Sequence, residues 1–276
     1  MSGWRVMAGW FATGTVVYGG LLAGLYLFQR QLLYHPSTSV PDIAAAGVPE
    51  MRPVALAAAD GIDLLAWYRP AQPGGKLLIY FHGNAGHIGH RGYKARPYLV
   101  AGHGMLLVSW RGFGGNAGKP SERGLMLDAR AALEFAVRAG VAPKDIVLYG
   151  ESLGSGPAVI LAAESAASGS KLGAVVLEAP YTSMADLAQH HYFYVPARHL
   201  LADKFEAAAR VAEIAAPLFV VHGERDRTVP VQFGRALFDA AREPKQAAWL
   251  PQAEHNDLYD HGAAEAVLKF LDGLPR

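Results

Sequence analysis

Ser152 stands between two glycines in the run Gly150-Glu151-Ser152-Leu153-Gly154, a G-x-S-x-G pentapeptide. Ile146-Val147-Leu148-Tyr149 precedes it, a β-branched and aromatic run that reads as a strand. Pro157 to Ala163 follows, small and apolar, and reads as a helix. A serine on a tight strand-to-helix turn is held in a strained backbone conformation that pushes its hydroxyl out of the fold. Side chains in place of Gly150 and Gly154 would collide across that turn. The alternative is a chance match in a glycine-rich chain, and the strand before and helix after argue against it. The chemistry this predicts is nucleophilic attack. A hydroxyl is a weak nucleophile at neutral pH, so it needs a base, a group to orient the base, and donors for the oxyanion.

In one known chain order of such a triad, the acid follows the serine and the histidine follows the acid. Pro217-Leu218-Phe219-Val220-Val221-His222 reads as a buried strand, and Gly223-Glu224-Arg225-Asp226 as the turn after it. Gln246 to Leu250 reads as another strand, followed by Pro251-Gln252-Ala253-Glu254-His255-Asn256-Asp257. Asp226 and His255 thus each sit on a loop just past a strand, and in an open parallel sheet such loops gather at the carboxyl edge. His255 is expected as general base and then general acid, the alternative being a surface histidine. Asp226 is expected to hold its tautomer. Glu224 and Asp257 are the competing acids, and Asp257 is expected instead to cap the next helix.

The oxyanion donors are expected to be the N–H of Leu153 and one from the loop after Lys76 to Phe81. That loop reads His82-Gly83-Asn84-Ala85-Gly86, and its glycines let backbone N–H groups face a ligand. Asn84 is the expected second donor, or Ala85 if the turn is shifted by one. His82, His87 and His90 are spaced as metal ligands could be, but no carboxylate or cysteine accompanies them, and no metal is expected. Acyl transfer of this kind needs no cofactor.

On these residues the chain resembles the serine hydrolases of the α/β-hydrolase superfamily. The blocks that carry the resemblance are His82 to Gly86, Trp110-Arg111-Gly112-Phe113-Gly114, Gly150 to Gly154, and Asp226 with His255. More narrowly, it resembles the single-anchor branch that includes animal protein depalmitoylases and fungal polarity-related hydrolases. There the second block usually reads Asp/Glu-Tyr-Arg-Gly-Tyr-Gly and then Ser-x-Gly-x-Pro. Here Ser109-Trp110 replaces the acid and tyrosine, and Asn116-Ala117-Gly118-Lys119-Pro120 closes the block, so a structural contact of that loop is expected to differ. The similarity runs over roughly residues 30–272. Substrate does not transfer across such a family.

These residues need a scaffold. Arg52 to Ala57 and Ile62 to Tyr68 read as an antiparallel pair turned at Asp60-Gly61. From Lys76 onward, strands at Met105 to Trp110, Ile146 to Tyr149, Ala174 to Leu177, Leu218 to His222 and Ala247 to Leu250 alternate with helical patterns. The helices are Arg91 to Ala101, Ser121 to Ala139, Gly154 to Ala167, Val231 to Arg242 and Gly262 to Leu271. Such alternation predicts the α/β-hydrolase fold: a mostly parallel sheet with helices on both faces. About 40 residues separate Leu177 from Leu218, more than one crossover helix needs. They hold Tyr181, His190, His191, Tyr192, Phe193, Tyr194 and Pro196, and are expected to form a small cap at about 181–214. The alternative there is a helix pair with its aromatics in the core, and His190 and His191 are expected as cap or surface residues.

The 276 residues are 51% hydrophobic and 18% charged, with a net charge of +1, enough for one large core and no basis for nucleic-acid binding. The chain has no cysteine, which excludes disulfides and thiol catalysis. Val6 to Phe28 carries no charge: about 23 residues, or roughly 34 Å of helix, enough to cross a bilayer. Trp4, Trp10, Tyr26 and Tyr34 lie near its ends, where amphipathic rings settle. A cleaved signal peptide is disfavoured by length and by the lack of an Ala-x-Ala site before Gln29-Arg30-Gln31. A buried helix is disfavoured because the stretch is apolar all round. Gly20 and Gly24 have the spacing of a helix-packing pair. Arg5 and Arg30 flank the segment one on each side, so charge selects no orientation.

The expected organisation is a single-pass anchor at residues 1–30, a linker or lead-in at 31–49, and a hydrolase domain at 50–276. The expected activity is cleavage of carboxylic esters or thioesters through an acyl-enzyme, on lipid-like or lipidated substrates. A peptidase or aminoacyl hydrolase on the same scaffold, or an inactive membrane-tethered binding module, are the alternatives.

Overall fold

The computed structural model describes residues 3–274. The chain opens with helix α1 (Gly3–Leu33), then an antiparallel pair, β1 (Arg52–Ala57) and β2 (Asp63–Arg69). Next come β3 (Leu77–Phe81), α2 (Gly92–Val100), β4 (Gly104–Val108), α3 (Glu122–Arg138), β5 (Ile146–Glu151), α4 (Ser155–Ala167) and β6 (Ala174–Glu178). A segment with three short helices follows: α5 (Met184–His191), α6 (Ala197–Leu200) and α7 (Ala207–Arg210). The fold ends with β7 (Leu218–Gly223), α8 (Val231–Ala240), β8 (Lys245–Leu250) and α9 (Ala263–Asp272). The strands form one eight-stranded sheet in the order β8-β7-β6-β5-β3-β4-β2-β1, parallel from β4 to β8. β2 pairs antiparallel with both β1 and β4. This is the expected mostly parallel α/β architecture, with element ends within a few residues of those read from periodicity.

The inner strands are buried on both faces, so they read as unbroken apolar runs. The period of two divides them between two cores. Leu77, Ile79 and Phe81 face the core built with Ala129 and Ala132 of α3 and Val159 of α4. Leu78 and Tyr80 face the core built with Tyr98 of α2 and Val267 and Phe270 of α9. Helix α3 starts where Ser121 accepts the Gly124 N–H at 3.1 Å, a side-chain cap.

Helix α1 is longer than the uncharged stretch and runs through the residues expected to begin a linker. It has the length and hydropathy to cross a membrane. The lead-in after it is packed: Tyr34, Val48 and Met51 are buried, and the His35 N–H donates to the Asn84 carbonyl at 2.8 Å. A Cβ on Gly20 or Gly24 would meet nothing within 4 Å, so no described element packs on that pair.

Candidate active site

Ser152 follows the last residue of β5, in the turn into α4. Its φ is +49°, a left-handed conformation that costs a non-glycine residue energy and persists only where the surroundings enforce it. Closeness across the turn is the enforcing condition. A Cβ on Gly150 would lie 2.6 Å from the Gly154 carbonyl oxygen, and one on Gly154 would run into the Phe81 carbonyl. Both glycines of the pentapeptide are therefore required by space.

The loops after β7 and β8 reach the same edge of the sheet. His255 Nε2 lies 3.1 Å from Ser152 Oγ, and His255 Nδ1 lies 2.6 Å from Asp226 Oδ2. Asp226 Oδ1 accepts the Thr228 and Val229 N–H groups, each at 2.8 Å. Burial pushes the Asp226 carboxyl up, but hydrogen bonds from His222 and His255 outweigh it and hold the group at about 2. It is therefore an anion across the physiological range, able to stabilise a cationic imidazole. The competing acids are occupied elsewhere. Glu224 pairs with Arg235 at the surface. Asp257 gives the following helical turn no side-chain cap, contrary to expectation. Its Oδ1 accepts the Glu254 N–H at 2.6 Å and so tightens the loop that carries His255, while α9 itself starts after Gly262 at φ +90°.

Leu153 and Asn84 both line the cavity onto which Ser152 opens. The Asn84 loop is fixed from α1: its side-chain amide donates to the Leu33 carbonyl at 3.0 Å. The neighbouring histidines are held in other contacts. His82 Nδ1 donates to the Gly83 carbonyl at 2.7 Å, and burial holds its ring down at about 3, so it stays neutral. His87 stacks on His90 with centroids 4.1 Å apart. Among the described residues no group of three or more His, Cys, Asp or Glu could hold a metal. At Ser109-Trp110 the Trp110 indole N–H donates to the His82 carbonyl at 2.9 Å, and its ring stacks on Phe81. Arg111 pairs with both Asp60 and Asp128.

The cavity is about 450 Å³ and its walls are mostly aliphatic. Met184, Leu187 and Leu200 come from the segment after β6, and Leu25, Leu32 and Leu33 from α1. His191 also lines it and makes a 2.9 Å hydrogen bond to the Thr228 carbonyl. Tyr181 does not belong to this cover. It is fully buried behind the turn, and its hydroxyl donates to the Leu153 carbonyl at 3.0 Å.

Three features escaped the reading of the sequence. His222 Nε2 donates to the Val229 carbonyl at 2.8 Å and stands 3.3 Å from Asp226 Oδ2, bracing the loop; its only trace in sequence is the i, i+4 spacing to Asp226. The wall supplied by α1 left a trace in Leu25, Gln29, Leu32 and Leu33, which share one helix face at i, i+4, i+7 and i+8. The third is a buried charge network beneath the turn. Arg91 makes two hydrogen bonds to Glu151, at 2.9 and 3.0 Å, Lys94 stands 3.4 Å from it and pairs with Glu178, and the Tyr80 hydroxyl donates to Glu151 at 2.8 Å. Burial alone would raise the Glu151 carboxyl, but Arg91 and Lys94 bring it well below the usual carboxylate range. Glu151→Gln leaves two buried cations short of an anion one residue before Ser152. We expect it to cost about 3 kcal/mol of stability, read from the denaturant midpoint, because the remaining charges stay desolvated.

Comparisons with known proteins agree with this architecture. The family model described as alpha/beta hydrolase fold matches residues 76–205. An uncharacterized protein of Mycobacterium tuberculosis is 37% identical over 262 residues, which are 93% of this chain and 92% of that one. Protein ABHD12B of Homo sapiens is 34% identical over 216 residues, 70% of this chain and 59% of its own length. Lysophosphatidylserine lipase ABHD12 of Danio rerio is 31% identical over 195 residues, 65% of this chain and 51% of its own length. Among solved structures, an esterase of Pyrococcus furiosus superposes with a TM-score of 0.69 at 17% identity, covering 87% of this chain and 97% of that one. At that identity the likeness is one of fold.

Proposed function

We propose that this chain, which belongs to the alpha/beta hydrolase family, is a membrane-anchored serine hydrolase that cleaves carboxylic esters or thioesters of lipid-like or lipidated substrates. The observation that carries the reading is the 3.1 Å approach of His255 Nε2 to Ser152 Oγ, with Asp226 on the other ring nitrogen, at the wall of an apolar cavity. Ser152 Oγ attacks the acyl carbonyl carbon and its proton passes to His255 Nε2. The negative charge that develops on the carbonyl oxygen is met by the N–H groups of Leu153 and Asn84. Collapse of the tetrahedral intermediate breaks the bond to the leaving group, which takes the proton from His255. Water, deprotonated by the same imidazole, then releases the acid and restores Ser152. Asp226 stays ionised throughout and holds the imidazole.

The aliphatic cavity supports a substrate with a long acyl chain, since each buried methylene contributes about 0.8 kcal/mol. The lipase named among the relatives supports the same class. The length and apolar surface of α1 support anchorage. A fluorophosphonate probe should label the full-length protein at Ser152, and kcat/KM on p-nitrophenyl esters should rise with acyl length until the cavity is filled. Absence of labelling, with the protein folded, would return the reading to a tethered binding module.

The anchor and the site are not separable at residue 30. Removing residues 1–30 would take away Leu25 and Gln29 from the cavity wall and break the Arg30 bond to Asp203, 2.8 Å. An active truncated form therefore has to keep the last three turns of α1.

A further inference from the structure

Helix α1 has two halves of different character. In residues 3–20 the described side chains are exposed all round, with Trp10, Phe11, Val16 and Val17 at 67–80%. Beyond Gly20 one face turns to the hydrolase domain. Leu25, Gln29, Leu32 and Leu33 line the cavity, the Ala202 N–H donates to the Gln29 side-chain oxygen at 2.6 Å, and Arg30 grips Asp203. Beside the helix stands the loop between α5 and α6, Tyr192-Phe193-Tyr194, with Phe193 80% exposed. The Tyr18 hydroxyl donates to the Tyr194 carbonyl at 3.1 Å, so this tip stands level with Tyr18.

Helix geometry then sets the depth. A hydrocarbon core of about 30 Å takes about 20 residues of helix. Counted from Val6, where the uncharged stretch begins, the core ends near Leu25. Val6 to Tyr18 alone spans only about 20 Å, so the core continues about 10 Å past the tip. That is the depth at which interfacial apolar elements settle. It also brings the cavity wall at Leu25 to the edge of the hydrocarbon. The tip is built for that setting. It carries no charge from Tyr192 to Ala197, and the carbonyls of Tyr192, Tyr194 and Val195 are satisfied within the protein. Gln189 Nε2 donates to Val195 O at 3.0 Å, the Val195 N–H to Tyr192 O at 3.1 Å, and Tyr18 to Tyr194 O. Immersed backbone requires such internal partners.

We propose that the cavity takes a long acyl chain sideways out of the bilayer, between the C-terminal half of α1 and the Tyr192–Tyr194 tip, both of which enter the same leaflet. The substrate's acyl chain never crosses water, and its carbonyl arrives at Ser152 from the membrane side. The route rests on the hydrolase reading above; the immersion of the tip does not.

The test uses full-length protein reconstituted in phosphatidylcholine vesicles. Because the chain has no cysteine, Phe193→Cys, Val17→Cys and Glu134→Cys can each carry one environment-sensitive fluorophore. Glu134 sits on the exposed face of α3. The labels at 193 and 17, which stand at nearly the same depth, should both be quenched, and to a similar degree, by lipid spin-labelled along the acyl chain, and the label at 134 should not. An aqueous label at 193 overturns the proposal, whether the tip is bare or covered by a second copy or another protein; an aqueous label at 17 overturns it through the anchor. The route has its own readout. In Phe193→Asp, the ratio of turnover on a long-chain p-nitrophenyl ester in vesicles to turnover on p-nitrophenyl acetate in solution should fall about tenfold, the equivalent of 1.4 kcal/mol. An immersed tip with an unchanged ratio overturns lateral entry. If no ester is turned over at all, the hydrolase reading falls and the quenching result stands by itself.

Discussion

Ser152→Ala should lower kcat by about a millionfold, roughly 8 kcal/mol of transition-state stabilisation. The size follows from how the group is built. His255 has no proton to take once Oγ is gone, and Asp226 then orients a base with no substrate, so removing the serine disables the unit. What survives is the contribution of the donors at Leu153 and Asn84 and of the apolar cavity. The fold should hold. Ser152 is buried, yet its Oγ makes a single side-chain bond, to His255, and alanine at φ +49° meets the same backbone restriction as serine. A circular dichroism melt matching the parent protein, with ester hydrolysis and fluorophosphonate labelling both lost, is the expected pair of results. Retained hydrolysis in the purified variant would mean that another side chain attacks.

Asp226→Asn should cost about 10⁴ in kcat with KM little changed, because the amide lets the imidazole take the wrong tautomer and no longer balances its charge. Glu224→Gln should leave kcat within a few-fold, since that carboxylate faces Arg235 at the surface. Asp257→Asn keeps an oxygen for the Glu254 N–H and should be similarly mild. A larger loss in either of these than in Asp226→Asn would reassign the acid. The pH dependence carries a second check. The Asp226 carboxyl is lower in the folded chain, about 2, than in the unfolded one, about 3.9. Its contribution to stability is therefore fully present above the ordinary carboxylate range and is lost as pH falls from about 4 towards 2. Asp226→Asn should remove this component, so the difference in melting temperature between parent and variant should narrow across that interval. At neutral pH the parent should be the more stable of the two.

Much of this protein is written locally. The strand before Ser152, the helix after it and the glycines on either side share one short segment. The order serine, acid, histidine placed Asp226 and His255 on loops past two further strands, and parallel pairing brings those loops to one edge by its own geometry. The fold class followed from the same logic, because buried parallel strands must be apolar on both faces and their crossovers must be helices. The apolar excess of Val6 to Phe28 needed only counting.

What the tertiary structure decided are contacts between residues far apart in the chain. Nothing local says that Glu151 meets Arg91 and Lys94, which α2 supplies, or that Asp203 is the anchor point of Arg30. Tyr181 reads as part of a cap and lies instead under the Ser152 turn, against Gly156 of α4. The largest difference concerns α1. Hydropathy scores a residue by its own side chain, so a leucine facing lipid and one facing a cavity look alike. The sequence therefore determined that residues 6–28 are apolar enough for a membrane, while only the packed structure decided that the helix runs on to Leu33, turns its last face onto Ser152's cavity and fastens Asn84. Those decisions rest on shape and hydrogen bonds across some fifty to more than a hundred and seventy residues of chain, which no local pattern encodes.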